Sequence, residues 1–463
     1  MTVYAGPISN RLLPLAIAGS ALLVGALAGY EPRLALGLAI GLVFVGVTLT
    51  NLTAGVCMFA VFTFIDEAVP SGGLPLTRLL GVLLILSWLA QVTAGESRGR
   101  KLFESNGMLF LILLFVFWAA FSALWAADSG EAIGAVTRYA PNALLFLVVY
   151  AAVRTRSQAM WVIGALLTGA LIAAFYGVIS PTEADAGGRL SGSVGNANEA
   201  GAALAVGVAL AGGLAVALRG HPALQLASVV GVPLCMLALF LTVSRGGIVA
   251  LVAILVAGVF IAGPRRGTVL GAAVLGAVMA VVYFGSFAGE QAREHLLQSD
   301  NGTGRTDIWK VGWRMVEANP VAGVGAGNFQ SSSVHYLLEP GAIERADFIV
   351  DEPKVAHNTY LGVLAELGVV GLALFLAILG AVLASLWRAA KAFGASGDRE
   401  MDMLSRAVLI ALIGFLTAAF FGSREYSNQF WLLLALGPAL LGIARAQLDR
   451  LGEAASPAAT SEF

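Results

Sequence analysis

Polar residues interrupt this chain at long intervals, and the runs between them are apolar and nearly free of charge. A helix needs about 20 apolar residues to cross the hydrocarbon core of a bilayer. Such runs lie near 11–29, 34–50, 54–66, 74–93, 107–125, 138–153 and 158–179. After a polar break come 197–217, 223–243, 247–263 and 267–287, and after a long polar stretch 358–387, 404–422 and 428–445. These are fourteen segments, with 34–66 short enough to be one broken or re-entrant element. The pattern predicts an all-α polytopic membrane protein with 12–14 transmembrane helices and one large, partly helical outer loop. It divides the chain into N-terminal helices (1–180), helices carrying polar outer turns (181–287), the loop (288–356), C-terminal helices (357–446) and a disordered tail (447–463).

Composition removes the soluble alternative. Of 463 residues, 58% are hydrophobic and only 12% charged, against roughly 25% charged in ordinary soluble domains. A net charge of −1 gives no sign of nucleic-acid binding. The two cysteines, Cys57 and Cys235, sit inside apolar runs, and the four histidines are scattered, so neither a disulfide framework nor a metal site is expected. Basic residues set the orientation, because short cytoplasmic loops are enriched in Lys and Arg. With the N-terminus inside, fifteen basic residues fall on the inner side and six on the short outer loops (Arg33, Arg78, Arg138, Arg189, Arg245, Arg424). Both termini are therefore expected in the cytoplasm. Residues 12–28, ending in Ala26-Leu27-Ala28, have some features of a signal peptide, but Arg11 alone makes a weak n-region and an uncleaved helix is expected. The two halves show no matched pair of broken helices of the kind that marks inverted-repeat transporters.

Three polar clusters then fall on one side. The first runs from Gly187 through Arg189 to Asn196-Ala197-Asn198-Glu199, where Asn196 or Asn198 is placed to cap a helix. The second is Val243-Ser244-Arg245-Gly246-Gly247. An arginine followed by two glycines lets an anionic group approach the backbone, and its planar fork suits a phosphate; an arginine snorkelling to lipid headgroups would look the same. The third is the loop 288–356, with ten acidic and six basic residues, so individual arginines rather than a cationic surface must bind any anion there. Within it Ile308, Val311, Met315 and Val316 recur at helical spacing after Arg305, and Asn319-Pro320 ends the helix. Gly323-Val324-Gly325-Ala326-Gly327-Asn328 imitates a dinucleotide loop but lacks the strand before it and a helix in register after it, and reads as a turn-rich linker. His357 sits where the loop meets a very apolar helix. Imidazole can act as a base near neutral pH, although a capping or interfacial histidine would occupy the same place. Glu366, roughly 13 Å further down that helix at 1.5 Å per residue, must be hydrogen-bonded to another element or face a polar cavity; bracing is the expectation.

Read together, these elements resemble a known family. His357-Asn358-Thr359-Tyr360-Leu361-Gly362 through Glu366-Leu367-Gly368-Val369-Val370-Gly371 is similar to the signature after the large outer loop in the O-antigen ligase and polymerase superfamily. Ser244-Arg245-Gly246 resembles its Ser-Arg-Gly turn, Arg189 with Gly-Asn-Ala-Asn its Arg…Gly-x-x-Asn-x-Asn segment, and Arg305…Trp309…Asn319-Pro320…Gly323-Val324-Gly325 its loop pattern. The resemblance implies an inverting, metal-independent glycosyltransferase without a cofactor. Its donor would be a glycan on undecaprenyl diphosphate at the periplasmic face of the bacterial inner membrane. Arg189, Arg245 and Arg305 would hold the diphosphate, His357 would be the catalytic base, and Asn358, Tyr360 and Glu366 would support it. The acceptor would be a glycan or glycolipid, lipid A–core for a ligase; the ligase is favoured narrowly over a polymerase, and some relatives glycosylate protein. A transporter or flippase for a lipid-linked anion is the competing class, but it would place its charges at mid-membrane on several helices, whereas here they gather at one boundary.

Overall fold

Short polar residues punctuate the apolar runs, and most of them start a helix. The side chains of Asn51, Asp128, Asn196, Ser244, Asn358 and Asp398 each accept hydrogen bonds from backbone N–H groups of the turn that follows, supplying acceptors to donors that a helix leaves unpaired at its start. The computed structural model describes residues 9–65, 76–93, 106–179, 190, 195–218, 220–297, 304–337 and 354–455, and every regular element among them is helical. In chain order these are α1 (Ser9–Tyr30), α2 (Pro32–Thr50), α3 (Leu52–Phe62), α4 (Leu76–Thr93), α5 (Asn106–Phe121), α6 (Ser129–Ala152), α7 (Arg156–Ile179), α8 (Ala197–Ala217), α9 (Pro222–Leu241), α10 (Arg245–Ile261) and α11 (Arg266–Val282). The loop region contributes α12 (Glu290–Leu297), α13 (Arg305–Ala318) and α14 (Phe329–Leu337), and the chain finishes with α15 (Thr359–Ala395), α16 (Arg399–Ala418) and α17 (Asn428–Ala455).

This is an all-α polytopic membrane protein. Ten helices among the described residues are long and apolar enough to cross a bilayer, and α2, α3, α10 and the described part of α1 are shorter apolar helices. All fourteen apolar segments are helical. The pair at 34–66 resolves into α2 and α3, separated at Asn51. Several boundaries differ from expectation. Helix α6 begins at Ser129, nine residues before the run at 138–153, because Asp128 caps a polar first turn that carries Glu131. Helix α17 runs to Ala455, well into the stretch expected to be disordered from 447.

Small residues let the central helices approach closely, the usual packing device where lipid removes the hydrophobic incentive to associate. A Cβ on Gly247 of α10 would sit 3.0 Å from the Gly201 backbone of α8, and one on Gly207 would meet Ala170 and Cys235. By contrast α11 has almost no buried surface, and its Val274 and Val281 are exposed, as befits a face turned to lipid.

The longest helix is broken. Gly368 within α15 has φ +65 and ψ −170, and the carbonyls freed there are taken by the loop and by α5. Val324 N–H donates to Ala365 O at 2.9 Å, Gly325 N–H to Glu366 O at 2.9 Å, and Trp118 Nε1 to Leu367 O at 2.9 Å, while Val369 N–H donates to Pro320 O at 2.9 Å. Non-helical backbone at such a depth is tolerated only where protein satisfies it. The segment 320–327, expected to be a linker, is therefore an inserted strap. A Cβ on Gly368 would run into the Val321 carbonyl, in a left-handed conformation that L residues avoid. Gly368→Ala should lower stability by more than about 1 kcal/mol, read as a drop in the unfolding midpoint in detergent. Gly380→Ala, at an open position further along the same helix, should leave it unchanged or raise it by up to about 1 kcal/mol.

Candidate functional site

Strain marks one end of the bundle. Among the described residues only two that are not glycine have positive φ, Val243 at +50° and His357 at +48°. A β-branched residue in that region is a genuine outlier. Each stands directly before a capping residue, Ser244 for α10 and Asn358 for α15, and Gly195 (φ +77°) stands likewise before Asn196, the cap of α8. Three helices thus begin with the same device. Their starts carry the partial positive charge of aligned peptide dipoles and unpaired N–H groups.

Side-chain ties bring those starts together. Ser244 Oγ accepts from Gly247 N–H at 3.1 Å and donates to Asn198 Oδ1 at 3.2 Å, joining α10 to α8. A Cβ on Gly246 would lie 2.9 Å from Phe421. The Thr359 backbone N–H and hydroxyl both donate to Gly422 O, at 3.1 and 2.8 Å, and the hydroxyl accepts from Arg424 N–H at 2.7 Å. From there the buried Arg424 side chain reaches Glu199 in the first turn of α8, Nη1 to Oε1 at 3.1 Å. The turn 419–427 is therefore bound to the starts of α8, α10 and α15 at once.

His357 is held in this junction by its neighbours in the chain. Trp309 of α13 donates to Ala356 O at 3.1 Å, and Asn358 Oδ1 accepts from Tyr360 and Leu361 N–H at 3.0 and 3.1 Å. The ring is half-buried. Burial, and then the nearby charges of Arg305, Lys354 and Arg424, lower its pKa from 6.5 to about 4. At neutral pH the imidazole is uncharged, with a lone pair available to accept a proton. Arg305 opens α13 directly after Gly304, whose φ of +64° turns the chain into the helix, and its guanidinium is close enough to act on His357. The apolar face Ile308, Val311, Met315 and Val316 is buried, laying α13 over the start of α15.

The remaining expected residues support this frame. Asn358 is a helix cap, and Tyr360 Oη donates to Leu416 O of α16 at 2.8 Å. Glu366 accepts from Gly327 N–H at 2.8 Å and Phe329 N–H at 3.2 Å, so its carboxylate sits at the start of α14 and pins the strap. Asn328 adds Asp128 N–H to its Oδ1 at 2.7 Å, and Ala326 N–H donates to Ser122 Oγ at 2.9 Å. Of the two asparagines placed to cap α8, Asn196 does so. Arg189 lies outside the described residues. Arg245 is the first residue of α10, with its neighbours Ser244 and Gly246 both engaged in the junction. Arg424 and Arg138, the latter 4.3 Å over the Tyr426 ring, enter the sequence reading only through orientation, and Glu199 only as the end of the first polar cluster. Nothing local distinguishes them; their partners lie far away in the chain. No three His, Cys, Asp or Glu side chains gather into a metal-binding group among the described residues.

Comparison with known families meets this geometry. Residues 230–376 match the family model described as O-antigen ligase. The match supports the O-antigen ligase and polymerase superfamily for this part of the chain. The match takes in Arg245, Arg305, His357 and Glu366 and stops short of Arg189, Glu199 and Arg424. No curated protein matches the chain. That match supports a glycosyltransferase-like activity of the ligase or polymerase type on a lipid-linked glycan. Glu366→Ala should free the strap without touching His357. Hydrogen exchange at residues 320–337 should speed up by at least tenfold, with the amides of α8 unaffected; equal protection in both proteins would show that the carboxylate holds nothing.

Proposed function

We propose that this protein is an inverting, metal-independent glycosyltransferase. It moves a glycan from undecaprenyl diphosphate to an acceptor hydroxyl at the periplasmic face of the bacterial inner membrane, with both termini in the cytoplasm. Within the superfamily we assign it as an O-antigen ligase acting on lipid A–core. The observation that carries this reading is His357, uncharged and flanked by Arg305, Lys354 and Arg424 where three helix starts converge.

The chemistry follows from those groups. Arg245 and Arg305, with Arg189, hold the donor's diphosphate and stabilise the charge that grows on it; these fixed guanidinium charges fill the place a divalent cation takes elsewhere. The acceptor oxygen attacks the anomeric carbon from the face opposite the diphosphate. A new C–O bond forms as the bond to the diphosphate oxygen breaks, the electron pair leaves with undecaprenyl diphosphate, and the hydroxyl proton passes to His357. The configuration at that carbon is inverted. The leaving group is already acidic, so no general acid is required. Bound donor also strengthens the base: its negative charge offsets the three cations that hold the imidazole pKa down.

Two measurements test this. His357→Ala should retain donor binding and lose transfer by a factor on the order of 10²–10⁴, measured with lipid-diphosphate oligosaccharide and a panel of acceptors. Transfer at the wild-type rate would remove the base assignment. An acceptor that is a second lipid-linked glycan would make the protein a polymerase, and lipid flipping in liposomes without transfer would make it a transporter. In the wild type, transfer should fall as pH drops through the His357 pKa. The acid limb of kcat/KM, which reports the free protein, should lie near 4, and that of kcat, which reports the donor complex, at higher pH. Coincident limbs would remove the role of donor charge in tuning the base.

A further inference from the structure

A polar cavity of about 300 Å³ lies beside this junction, between the end of α3 and the starts of α4, α8 and α17. Thr63, Thr77, Glu199, Arg424, Ser427 and Asn428 are among the residues that line it. Its size is at the lower end of small-ligand sites, which run from roughly 300 Å³. One feature shows that it is built to receive something. Arg424 is only 6% exposed, and although its Nη1 pairs with Glu199, its Nε has no hydrogen-bond acceptor among the described residues. A buried donor of this kind is costly to leave unmade.

The charge arrangement selects the ligand class. The guanidinium is already paired with Glu199 and has Glu425 beside it, so an anion entering here would meet a carboxylate. A neutral polyol meets no such penalty. Its hydroxyls can accept from Arg424 and Asn428, donate to Glu199, and do both with serine and threonine. Location selects the part of the substrate. Arg424 lines the cavity with its side chain while its backbone N–H is fixed to Thr359, two residues from His357. Glu199 follows Asn198, which is bonded to the Ser244 cap just before Arg245. A ring in the cavity would therefore lie close to the starts of α15 and α10, which carry the proposed base and Arg245. The described residues that line the cavity all lie outside residues 230–376.

We infer that this cavity is the subsite for the donor's first sugar ring, the one joined to the diphosphate, and that Glu199 and Arg424 read its hydroxyls. The inference rests on the reading of the donor as a lipid-diphosphate glycan.

The test uses the full chain purified in detergent and compares the affinity of undecaprenyl diphosphate with that of the same lipid carrying a disaccharide. Wild type should bind the sugar-bearing lipid at least tenfold more tightly. Ser427→Leu, which fills the cavity, should abolish that preference while bare-lipid affinity stays within twofold, and this affinity also reports that the variant is folded. Glu199→Gln, a smaller change, should cut the preference severalfold. Equal affinities in the wild type, or a preference that survives both substitutions, would overturn the subsite and leave the proposed function standing. Failure of the wild type to bind either lipid would overturn both.

Discussion

A buried arginine holds this end of the molecule together. Arg424 is far from Glu199 in sequence, yet its side chain ends on that carboxylate while its backbone N–H is bonded to Thr359. A charge taken out of water is costly unless it is paired and hydrogen-bonded, so the fold must bring Glu199 and the turn 422–427 together or leave that charge exposed to an apolar interior. Satisfying it fixes the start of α8 against the turn, and Thr359 fixes the start of α15 to the same turn through Gly422. With Ser244 bonded to Asn198, α10 is drawn in as well. Three helix starts, each bearing partial positive charge, are thus held in one place despite their mutual repulsion. Such an arrangement gains stability when an anion arrives, and it favours one before any lysine or arginine side chain is counted.

The large loop is docked by a second device. Its net charge is acidic, and a surface of that kind has no reason to settle at a site for an anion. It is attached instead through backbone, with the strap 320–327 inserted against the break at Gly368 and Glu366 closing on the start of α14. The break and the strap depend on one another: carbonyls opened in a membrane helix must find donors, and glycine N–H groups can approach closely enough to supply them. Docking the strap positions α13 over the start of α15, and with it Trp309 on Ala356 and Arg305 near His357.

Much of this was legible in the chain. Fourteen apolar runs became helices because lipid leaves an apolar backbone few other ways to satisfy its hydrogen bonds. Asn196 could be placed as one of two candidate caps because capping acts within three residues. The helix after Arg305 showed in its periodicity, and the resemblance around His357 led to the family that the match at 230–376 supports. What escaped the reading depends on distant partners. Gly368 looks like any glycine in an apolar helix until Val321 is found against it. Arg424 looked like one more outer-loop arginine because Glu199 lies on another helix. The run Gly323–Asn328 was correctly refused as a dinucleotide loop, yet its glycines have a purpose that composition does not disclose, since three of them have positive φ in a strap pressed against other backbone.

The same economy explains why a histidine occupies a strained position. Residue 357 must have positive φ for the chain to turn from the loop into the Asn358 cap, and glycine would adopt that conformation without cost. Histidine tolerates the left-handed region better than a β-branched residue but still stores strain there. That strain aims a side chain from the very first turn, where Trp309, Asn358 and Thr359 all fix the backbone within two residues. A base carried further along α15 would be buried among helices, and one further back would ride on the loop. Placed at the hinge, the imidazole is buried enough, and near enough to Arg305, Lys354 and Arg424, to stay uncharged. The positive surroundings that weaken it in the empty protein are the same charges a diphosphate would neutralise, so occupancy of the site and strength of the base rise together.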